Sequence, residues 1–545
     1  MAPTPLKEFR RTGGAKRTLI ALCTLLAACA SNGSDRARPE ASSPEFSSPE
    51  LEFQGAKIRL GPPKHFVVFI VDDLGWQDVS VPLGPEETPF NRRYRTPNVA
   101  RLASEGLSLT NGYAACPVCT PTRVSLLTGE SPARHGATYW IRNQGQDTSA
   151  GRDDIRAPEW DLDGLQPGDP TLAHGLRAAG FHTIHVGKAH WGSRNSPGSD
   201  PVQLGFDVNI AGHGLGAPGS YYGRHNFSGA VRNNSQNTEW DVPGLEAYHG
   251  QDVFLTDVLA EEADRALRAA LDADERVFLH FAPYGVHTPI MANERLLEPY
   301  ADLHPTEAAY STMIESYDAA LGRILDTLDE YGIADDTLVI FTSDNGGLSA
   351  HARGGEPNTH NAPLKSGKGS AYEGGVRVPW FIRFPGRAPA GSRNATPVIT
   401  HDIYPTLMDL GGAEIDSTRT LDGRSLAVLW RRTRELLPPR ALVWHMPHQW
   451  GARGPGVQPF SSLRFGRHKL IYWHASQTCE LYDLESDLSE QNDLAASEPG
   501  LVRELAARLE QELDARGAAP SVFIKDDSPV PGPYTALYGG EGSAN

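Results

Sequence analysis

Apolar runs and helical patterns alternate along the first two thirds of the chain. The runs 65–71, 277–282 and 337–341 have the length and the β-branched content of buried strands. Between the second and third runs, apolar residues recur at steps of three and four, which predicts an amphipathic helix containing Ile314, Tyr317, Leu321, Ile324 and Leu328. Strand, helix and strand in this order favour right-handed crossovers and a mostly parallel sheet.

A shorter helix is marked by its two ends. Thr96 and Pro97 are the residue types of an N-cap and a first helical position, and Gly106 follows the expected end. This spacing predicts a helix from Pro97 through Ala103.

The pattern changes after Gly423. Short strands are predicted at 441–445 and 468–473, followed by a helix over 501–516. We therefore predict an α/β fold. Residues 61–435 would hold a large mixed, mostly parallel sheet flanked by helices, and residues 436–545 a smaller α+β subdomain.

The N-terminus has the layout of an export signal. Five basic residues precede the apolar run 19–28, which is too short for a membrane-spanning helix. The end of this run, Leu26-Ala27-Ala28-Cys29, resembles a bacterial lipobox, in which Cys29 is lipidated and becomes the mature N-terminus. The alternative is ordinary cleavage at the small-x-small site Ala28-Cys29-Ala30. We predict a lipoprotein-type signal peptide over residues 1–29.

Residues 30–60 are rich in Ser, Pro, Glu and Arg and lack apolar periodicity, which predicts a flexible tether. Signal and tether together predict an exported protein in the periplasm or at the cell surface of a bacterium. Contact with the membrane would be made only through the lipid anchor at Cys29.

The charge balance restricts the possible ligands. The formal net charge of the 545 residues is −17 at pH 7. A strongly acidic chain is disfavoured for general binding to nucleic acid or to acidic lipid surfaces. Any anionic substrate must therefore be held by local cations.

Outside the signal, the cysteines are Cys116, Cys119 and Cys479, too few for a disulfide scaffold in a domain of this size. Cys116 and Cys119 form a CxxC pair, which invites a redox or metal interpretation. No second CxxC pair accompanies it, and the context is not thioredoxin-like. A redox or zinc-binding role is therefore a weak interpretation of this CxxC pair.

Two predicted strands run directly into residues that carry side-chain oxygens. Asp72 and Asp73 follow the strand 65–71, and Asp344 and Asn345 follow the strand that begins at Thr337. A single such pair is usually a solvated loop or a helix cap, but acids at carboxyl ends of strands in an open α/β sheet are site candidates. Hard oxygen ligands of this kind suit calcium or magnesium, not zinc or copper.

Cys119, Pro121 and Arg123 follow a Cys-x-Pro-x-Arg spacing that runs into the helix-like segment 124–127. A cysteine just before a helix start lies near the positive end of the backbone dipole, which suits a nucleophile for an anionic ester. The stretch resembles the maturation signature of the type I sulfatases, within the alkaline phosphatase-like superfamily. The resemblance implies that a maturation enzyme oxidises Cys119 to a formylglycine aldehyde. The nucleophile would then be the hydrated aldehyde, not a thiolate.

Other blocks resemble the same family and occur in its order. Lys188 and His190 stand in a Gly-Lys-x-His block, with Ala189 where a tryptophan is common. His287 matches a His-x-Pro element, and Lys368 lies between glycines that let the backbone approach a ligand closely. Any one block could be a surface turn or a chance match, but their ordered combination is specific.

The resemblance implies a role for each matched residue. Lys188 would neutralise charge around the nucleophile and the sulfate, and His190 would bond a formylglycine hydroxyl and later take its proton. His287 would protonate the leaving alcohol, while Lys368 would hold the sulfate and the bridging oxygen. Arg123 would be recognised by the maturation enzyme and would orient the hydrated aldehyde through its guanidinium.

The resemblance also implies one divalent cation, calcium in preference to magnesium. Its ligands would be Asp72, Asp73, Asp344, Asn345 and the matured Cys119. Neighbouring residues are given structural roles: Arg377 as an ion-pair partner and His280 as a strand residue, with Lys365 as the nearby competitor of Lys368.

The predicted activity is hydrolysis of sulfate esters, with a sulfated small molecule or carbohydrate as substrate. One alternative is a phosphonate monoester or phosphodiester hydrolase of the same superfamily, since some phosphonate hydrolases share the maturation signature. A second is a surface lipoprotein that binds sulfated glycans without cleaving them. The segment 212–224, rich in Gly, Tyr and His, is either part of a sugar pocket or an ordinary long loop.

Overall fold

The structure is a computed structural model that describes residues 51–53, 56–58, 62–349, 353–384, 390–431 and 436–539. The predicted signal peptide and most of the predicted tether lie outside these residues. Within the described ranges, no helix is both long and apolar enough to cross a membrane.

The strands are β1 Leu51–Phe53, β2 Ala56–Ile58, β3 His65–Val71, β4 Leu107–Leu109, β5 Gly112–Tyr113, β6 Ile155–Arg156, β7 Phe181–Gly187, β8 Val208–Ile210, β9 Arg276–Ala282, β10 Thr337–Ser343, β11 Phe381–Arg383, β12 Ser392–Asn394, β13 Val398–Ile399, β14 Ala441–Met446, β15 Phe460–Phe465, β16 His468–Trp473, β17 Thr478–Asp483 and β18 Val522–Phe523. The α-helices are α1 Pro89–Arg93, α2 Pro97–Glu105, α3 Cys119–Thr128, α4 Pro132–His135, α5 Leu172–Ala178, α6 Gly229–Asn233, α7 Leu255–Asp272, α8 Pro305–Glu330, α9 Glu373–Val376, α10 Ile403–Gly411, α11 Val428–Arg431, α12 Pro499–Arg516 and α13 Pro533–Tyr538.

The main sheet has the strand order β12-β4-β11-β10-β3-β9-β7-β8. The five adjacent strands β10, β3, β9, β7 and β8 are mutually parallel, while β11 runs antiparallel to both of its neighbours. The predicted mixed, mostly parallel sheet is therefore confirmed, and so is each of its three predicted strands.

Strand β3 shows why the apolar runs are continuous. Successive side chains of a strand point to opposite faces of its sheet. Val67, Phe69 and Val71 pack into the core that also contains α7 and α8. Phe66, Val68 and Ile70 pack into the core on the other face, with α3, α5 and α10. Because helices cover both faces, every position of the strand is buried and the polar alternation of a half-exposed strand is absent.

The two helices predicted in this region are present, with different ends. Helix α2 extends to Glu105, just before Gly106, but Thr96 makes no side-chain cap bond. Its hydroxyl instead accepts a hydrogen bond from the Ser80 backbone N–H at 2.7 Å. Helix α8 begins at Pro305, well before the apolar repeat that predicted it.

The C-terminal part contains the antiparallel sheet β14-β15-β16-β17, with α12 packed on one face. Leu505 and Leu509 of α12 meet Leu463 and Leu470 of this sheet in a common core. The other face contributes Trp444 and Ile471 to the core that contains the residues just before Cys119. The predicted small α+β region is confirmed, while its boundary at residue 436 stays a prediction.

Candidate active site

The register of the parallel strands brings the predicted site residues to one edge of the sheet. Val71 of β3 pairs with Ser343 of β10, so Asp72 and Asp344 leave their strands side by side. Gly187 of β7 pairs with Ala282 of β9. The segments that carry Lys188 and His287 therefore start at the same edge.

Two buried lysines pair with the acids at this edge. Lys188 Nζ lies 2.7 Å from Asp72 Oδ2 and 3.8 Å from Asp344 Oδ2. Lys368 Nζ lies 2.6 Å from Asp73 Oδ1 and 2.9 Å from Oδ2. Burial by itself would raise the pKa of Asp73, but the positive charges of Lys368 and Lys188 outweigh it and hold that pKa well below its usual range.

Two oxygen atoms in this cluster have no hydrogen-bond partner within the described ranges. They are Oδ1 of Asp72 and Oδ1 of Asn345, and both residues are fully buried. A buried polar atom without a partner is costly unless a ligand satisfies it. Oxygen donors of this kind fit a hard divalent cation. The amide nitrogen of Asn345 donates to Asp73 Oδ1 at 2.8 Å, which leaves its carbonyl oxygen available.

One histidine that the sequence assigned to another role also lies close to these acids. An oxygen of Asp72, an oxygen of Asp73 and a ring nitrogen of His287 all lie within 4.8 Å of one another. Asp344 is more heavily engaged, since its Oδ1 accepts from the Asp73 N–H at 3.1 Å and its Oδ2 from Arg123 at 2.7 Å.

Cys119 lies in the first turn of α3, not before it, and Val118 is the N-cap. Its side chain is 4 % exposed, and burial raises the pKa of the thiol. Cys116 and Cys119 are both free cysteines, and the Cys116 thiol is also buried with a pKa raised by burial. Thiols with raised pKa values are poor nucleophiles. The structure therefore lends no support to a thiolate or redox role for this pair.

Arg123 lies one turn further along α3 and is fully buried. Its Nε donates to Asp344 Oδ2, and its Nη1 donates to the backbone oxygen of Lys188 at 2.8 Å. One guanidinium thus links the helix of Cys119 to the ends of two strands. Arg123 is therefore a buried residue that holds the helix of Cys119 next to Asp344 and Lys188.

The ring of His190 is oriented by a backbone carbonyl. Its Nε2 lies 2.9 Å from the oxygen of Ile141, which can only accept, so Nε2 carries the proton in the neutral ring. Burial, aided by Lys188, lowers the pKa of His190 well below its usual value. The ring is therefore neutral, with an unprotonated Nδ1 that can accept a proton.

A backbone carbonyl also orients the ring of His287, but here the proton is on Nδ1 and not on Nε2. Its Nδ1 lies 2.8 Å from the oxygen of Thr288, and its Nε2 lies 3.7 Å from Asp73 Oδ2. Burial, followed by the charge of Lys368, lowers the pKa of His287 to about 3. Without substrate the imidazole is neutral, so a proton-donor role requires the charge of a bound anion to favour the protonated form.

Cys119, His190, His287 and Lys368 line one cavity of ≈ 240 Å³. The rest of its lining is mainly apolar or aromatic, and consists of Trp140, Gly216, Ala217, Trp240, Thr288, Leu348, Ser349, Trp450 and Ala452. The acids and Lys188 lie beneath this cavity, so the structure brings every predicted site residue to one place.

The expected competitor Lys365 and the two residues expected to be structural are absent from the cavity lining. Lys365 donates to the Glu490 backbone oxygen at 3.0 Å and stacks over Tyr372, so it does not compete with Lys368. Arg377 pairs with Glu373 at 3.2 Å. His280 contacts His185 inside the core, with 3.0 Å between their Nδ1 atoms.

Sequence reasoning missed several residues of the site. Thr120 lies inside the recognised motif, and its hydroxyl lies 3.1 Å from His190 Nε2. Trp140, Trp240 and Trp450 come from distant segments with no shared motif, so no local signal could have placed them together. The segment 212–224 does reach the cavity, through Gly216 and Ala217.

The sequence of this chain is similar to those of known sulfatases. Residues 64–413 match the sequence profile of the family described as Sulfatase, and residues 367–518 match that of N-sulphoglucosamine sulphohydrolase, C-terminal. A protein named sulfatase from Formosa agariphila is 28% identical over 549 residues, covering 89% of this chain and 95% of that protein. The N-acetylgalactosamine-6-sulfatase of Homo sapiens is 31% identical over 419 residues, covering 75% and 72% of the two chains.

Solved structures agree with the fold. A crystal structure of Ps i-CgsB in complex with k-i-k-neocarrahexaose has a TM-score of 0.67 and 25% identity, covering 83% of this chain and 93% of that one. The phosphonate monoester hydrolase of Agrobacterium radiobacter has a TM-score of 0.54 at 22% identity, covering 84% and 96%, which shows a shared fold alone.

Proposed function

Because this chain belongs to the sulfatase family and is a sulfuric ester hydrolase, we propose that it hydrolyses sulfated carbohydrates with a formylglycine made from Cys119 and a bound divalent cation. One observation carries the proposal. Cys119, two histidines with opposite ring orientations and Lys368 line a single cavity above buried oxygens that lack partners. Carbohydrate is favoured because relatives and structural neighbours are named for sulfated sugars or were solved with saccharides bound.

The nucleophile would be the matured residue 119. When formed and hydrated, formylglycine supplies one hydroxyl to attack sulfur and a second whose deprotonation allows sulfate to leave. The unprotonated Nδ1 of His190 is available to take that second proton. Arg123 holds the helix of residue 119 against Asp344 and so keeps this position fixed.

The departing alcohol would be handled on the other side of the cavity. His287 Nε2 faces the cluster because its Nδ1 donates to Thr288, so Nε2 is the atom that donates a proton to the alcohol oxygen. The negative charge of a bound sulfate ester would raise the pKa of His287 from its value in the free protein. Lys368 would balance the charge of the sulfate from its place between Asp73 and the cavity.

Asp72, Asp73, Asp344 and Asn345 would hold the cation, and we propose Ca²⁺ in preference to Mg²⁺ because four protein oxygens fit its larger coordination shell. When bound, a divalent cation stabilises negative charge on oxygen. The two unpaired oxygens support this assignment.

Maturation and activity are tested together. The protein is co-expressed with a formylglycine-generating enzyme, and the peptide around Cys119 is analysed by mass spectrometry for replacement of the thiol by an aldehyde. Turnover of an aryl sulfate is compared with that of an aryl phosphonate and a phosphodiester. Conversion of Cys119 with a preference for sulfate supports the proposal; a preference for phosphonate favours the other hydrolase, and an unmodified, inactive protein favours a glycan binder.

The cation has its own test. Chelation followed by dialysis should abolish aryl sulfate turnover and lower the Tm, because ligands that bind only the folded state stabilise it. Calcium should restore both more fully than magnesium. An Asn345→Ala variant should show a smaller shift in Tm on chelation than wild type. An unchanged Tm and rate after complete metal removal would contradict a bound cation.

The predicted export signal falls outside the described residues. We propose export with lipid attachment at Cys29, supported by the layout of residues 1–29. In a bacterial host, wild type should fractionate with membranes and Cys29→Ser should not. Equal distribution of both proteins would contradict lipid attachment.

A further inference from the structure

The upper part of the cavity is built from three tryptophans, Trp140, Trp240 and Trp450, which we call the aromatic wall. The proposed mechanism uses none of them. All three side chains are partly exposed, whereas Cys119 and Lys368 below them are 4 % and 8 % exposed. The wall therefore lies where the alcohol part of a sulfate ester must sit while its sulfate reaches Cys119.

The wall is held rigidly at two of its rings. Trp450 packs edge to face against Tyr139, with ring centroids 5.8 Å apart, and the Tyr139 hydroxyl donates to the Gln449 oxygen at 3.0 Å. A Cβ at Gly369, where φ is +84°, would lie 2.3 Å from Trp450. Only glycine at this position lets Trp450 lie against the Lys368 loop.

Trp240 is held by the side chain of Arg142, which packs over its ring. The guanidinium of Arg142 lies 5.4 Å from the centre of its ring, and Arg142 Nε donates to Glu239 at 2.7 Å. Rings held in place before binding lose little conformational entropy when a ligand stacks on them. Indole faces pack well against the C–H face of a pyranose ring or against another flat ring.

The charges of the lining limit how many anionic groups fit. Among the lining residues, the ionisable side chains are Cys119, His190, His287 and Lys368, and all four are assigned to a single sulfate ester. Within the described residues no further cation lines the cavity, and the nearby Arg142 is already paired with Glu239, so a second sulfate on the same ring would have no free cationic partner there. Such burial of an unpaired charge is strongly unfavourable.

The size of the cavity limits the substrate further. Its ≈ 240 Å³ falls below the roughly 300–1,000 Å³ typical of pockets for drug-sized ligands, which leaves room for about one ring beyond the sulfate. Ser349 adds one polar group, because its Oγ is buried and has no hydrogen-bond partner within the described ranges. A hydroxyl of the bound ring would satisfy this atom.

We propose that the aromatic wall selects a terminal pyranose ring that carries a single sulfate ester, so that the enzyme acts on chain ends and not on internal residues. This inference rests on the proposed function, because it assumes that residue 119 attacks the sulfate. Trp240 and Trp450 stack on the sugar, and Ser349 bonds one of its hydroxyls.

The first experiment compares two trisaccharides that carry the same sulfated sugar either at the end or in the middle. We expect kcat/KM for the terminal sulfate to be at least 100-fold higher. A second sulfate on the terminal ring should lower kcat/KM at least 10-fold. Equal rates for terminal and internal sulfates would overturn chain-end action. A steroid or naphthyl sulfate preferred over every pyranoside would overturn the sugar assignment.

The second experiment tests the wall directly. Trp240→Ala and Trp450→Ala should each raise KM for a monosulfated pyranoside 10- to 100-fold with kcat changed only a few-fold. Tyr538→Ala removes a partly exposed aromatic ring of α13 that is not among the lining residues of the cavity, and should leave both constants unchanged. Unchanged KM in both tryptophan variants would overturn the role of the wall.

The two proposals fail in different ways. A matured wild type that hydrolyses no sulfate ester, including a small aryl sulfate, contradicts the proposed function itself. A wild type that hydrolyses aryl sulfate but treats terminal and internal sulfates alike contradicts only the inference about the wall.

Discussion

Two of the buried charge clusters in the described part of the chain are built differently. The first, which we call the catalytic cluster after its proposed function, contains Asp72, Asp73, Lys188, Asp344 and Lys368. The structural ion cluster contains Glu373, Lys469 and Glu490, and it joins α9 to the C-terminal sheet. In the second cluster each carboxylate oxygen has a cation or a donor within 3.2 Å, although Glu490 Oε1 meets Lys469 only as an ion pair at 3.0 Å and accepts no hydrogen bond within the described ranges. In the catalytic cluster Asp72 Oδ1 has none, nor does Oδ1 of the adjacent Asn345.

The difference separates a cluster that serves the fold from one that serves a ligand. Buried charges are tolerated when geometry and hydrogen bonds compensate for lost hydration. The structural ion cluster meets this condition with protein groups alone, which include Arg377, the Tyr113 hydroxyl and the Glu373 backbone N–H. The catalytic cluster leaves unpaired atoms that each cost about 1–3 kcal/mol, which a bound cation would recover. Substitutions in the two clusters should therefore affect different measurements.

The largest expected effect is on catalysis at residue 119. Cys119→Ser should lower kcat at least roughly 10³-fold, because a serine that has taken the sulfate has no second hydroxyl with which to release it. Tm should change little. Cys116→Ser alters a buried neighbour outside the recognition spacing and should retain most activity. Full activity in the Cys119→Ser variant would contradict the proposed mechanism.

His287 should show a dependence on the leaving group. His287→Asn should lower kcat/KM by roughly 10²–10⁴-fold for an alkyl sulfate, because that alcohol needs a proton to leave. The loss should be much smaller for 4-nitrophenyl sulfate, whose phenolate leaves unprotonated. His182→Asn, at a partly exposed position on β7, is the matched control. Equal losses with both substrates would assign His287 to metal binding or positioning.

Lys469 should affect stability without affecting chemistry. Lys469→Met leaves Glu373 and Glu490 without their shared cation and should reduce the free energy of unfolding by about 3–5 kcal/mol. The folded variant should keep kcat/KM within a few-fold of wild type. Lys64→Met removes an exposed ion pair with Asp336 and should cost at most about 1 kcal/mol. Urea unfolding measures both; similar small losses would contradict the contrast between the clusters.

The smallest expected effect is the pH dependence set by Glu490. Burial raises the pKa of Glu490 to about 7, above its unfolded value of about 4.3. The folded state therefore binds an extra proton between these values, and its contribution to stability is present below pH 4.3 and lost as pH rises through 7. Glu490→Gln should remove this decline, so its stability relative to wild type should rise by about 1–3 kcal/mol between pH 4.5 and 8.

Glu373 acts in a separate pH window. Although burial opposes it, the charges of Lys469, Arg377 and Arg464 lower the pKa of Glu373 to about 2. Its stabilising effect is therefore present above its unfolded pKa and lost as pH falls through 2. Urea unfolding from pH 4.5 to 8 isolates the effect of Glu490. Parallel stability curves for wild type and Glu490→Gln over that range would contradict the assignment.

Much of the fold was predictable because apolar runs and helical repeats are local features of the sequence. The continuous apolar run 65–71 predicted a strand covered on both faces, and β3 has those bounds. The acids after β3 and β10 were predicted to be site residues because they follow strand ends in an open α/β sheet, and the family resemblance assigned them to one cation. Ends set by tertiary contacts were predicted less well. Helix α8 starts at Pro305, and the Thr96 hydroxyl bonds Ser80 instead of capping its helix.

The sequence by itself determined the residue types and the order of the motifs, which was enough to identify the family and to nominate the residues that converge on the cavity. Only the tertiary structure decided which atoms remain unpaired, which ring nitrogen of each histidine carries its proton, and which three tryptophans stand above residue 119. Each of these depends on contacts between segments up to about three hundred residues apart. No local periodicity or spacing encodes such contacts, because they are set by the packing of whole strands and loops around one edge of the sheet.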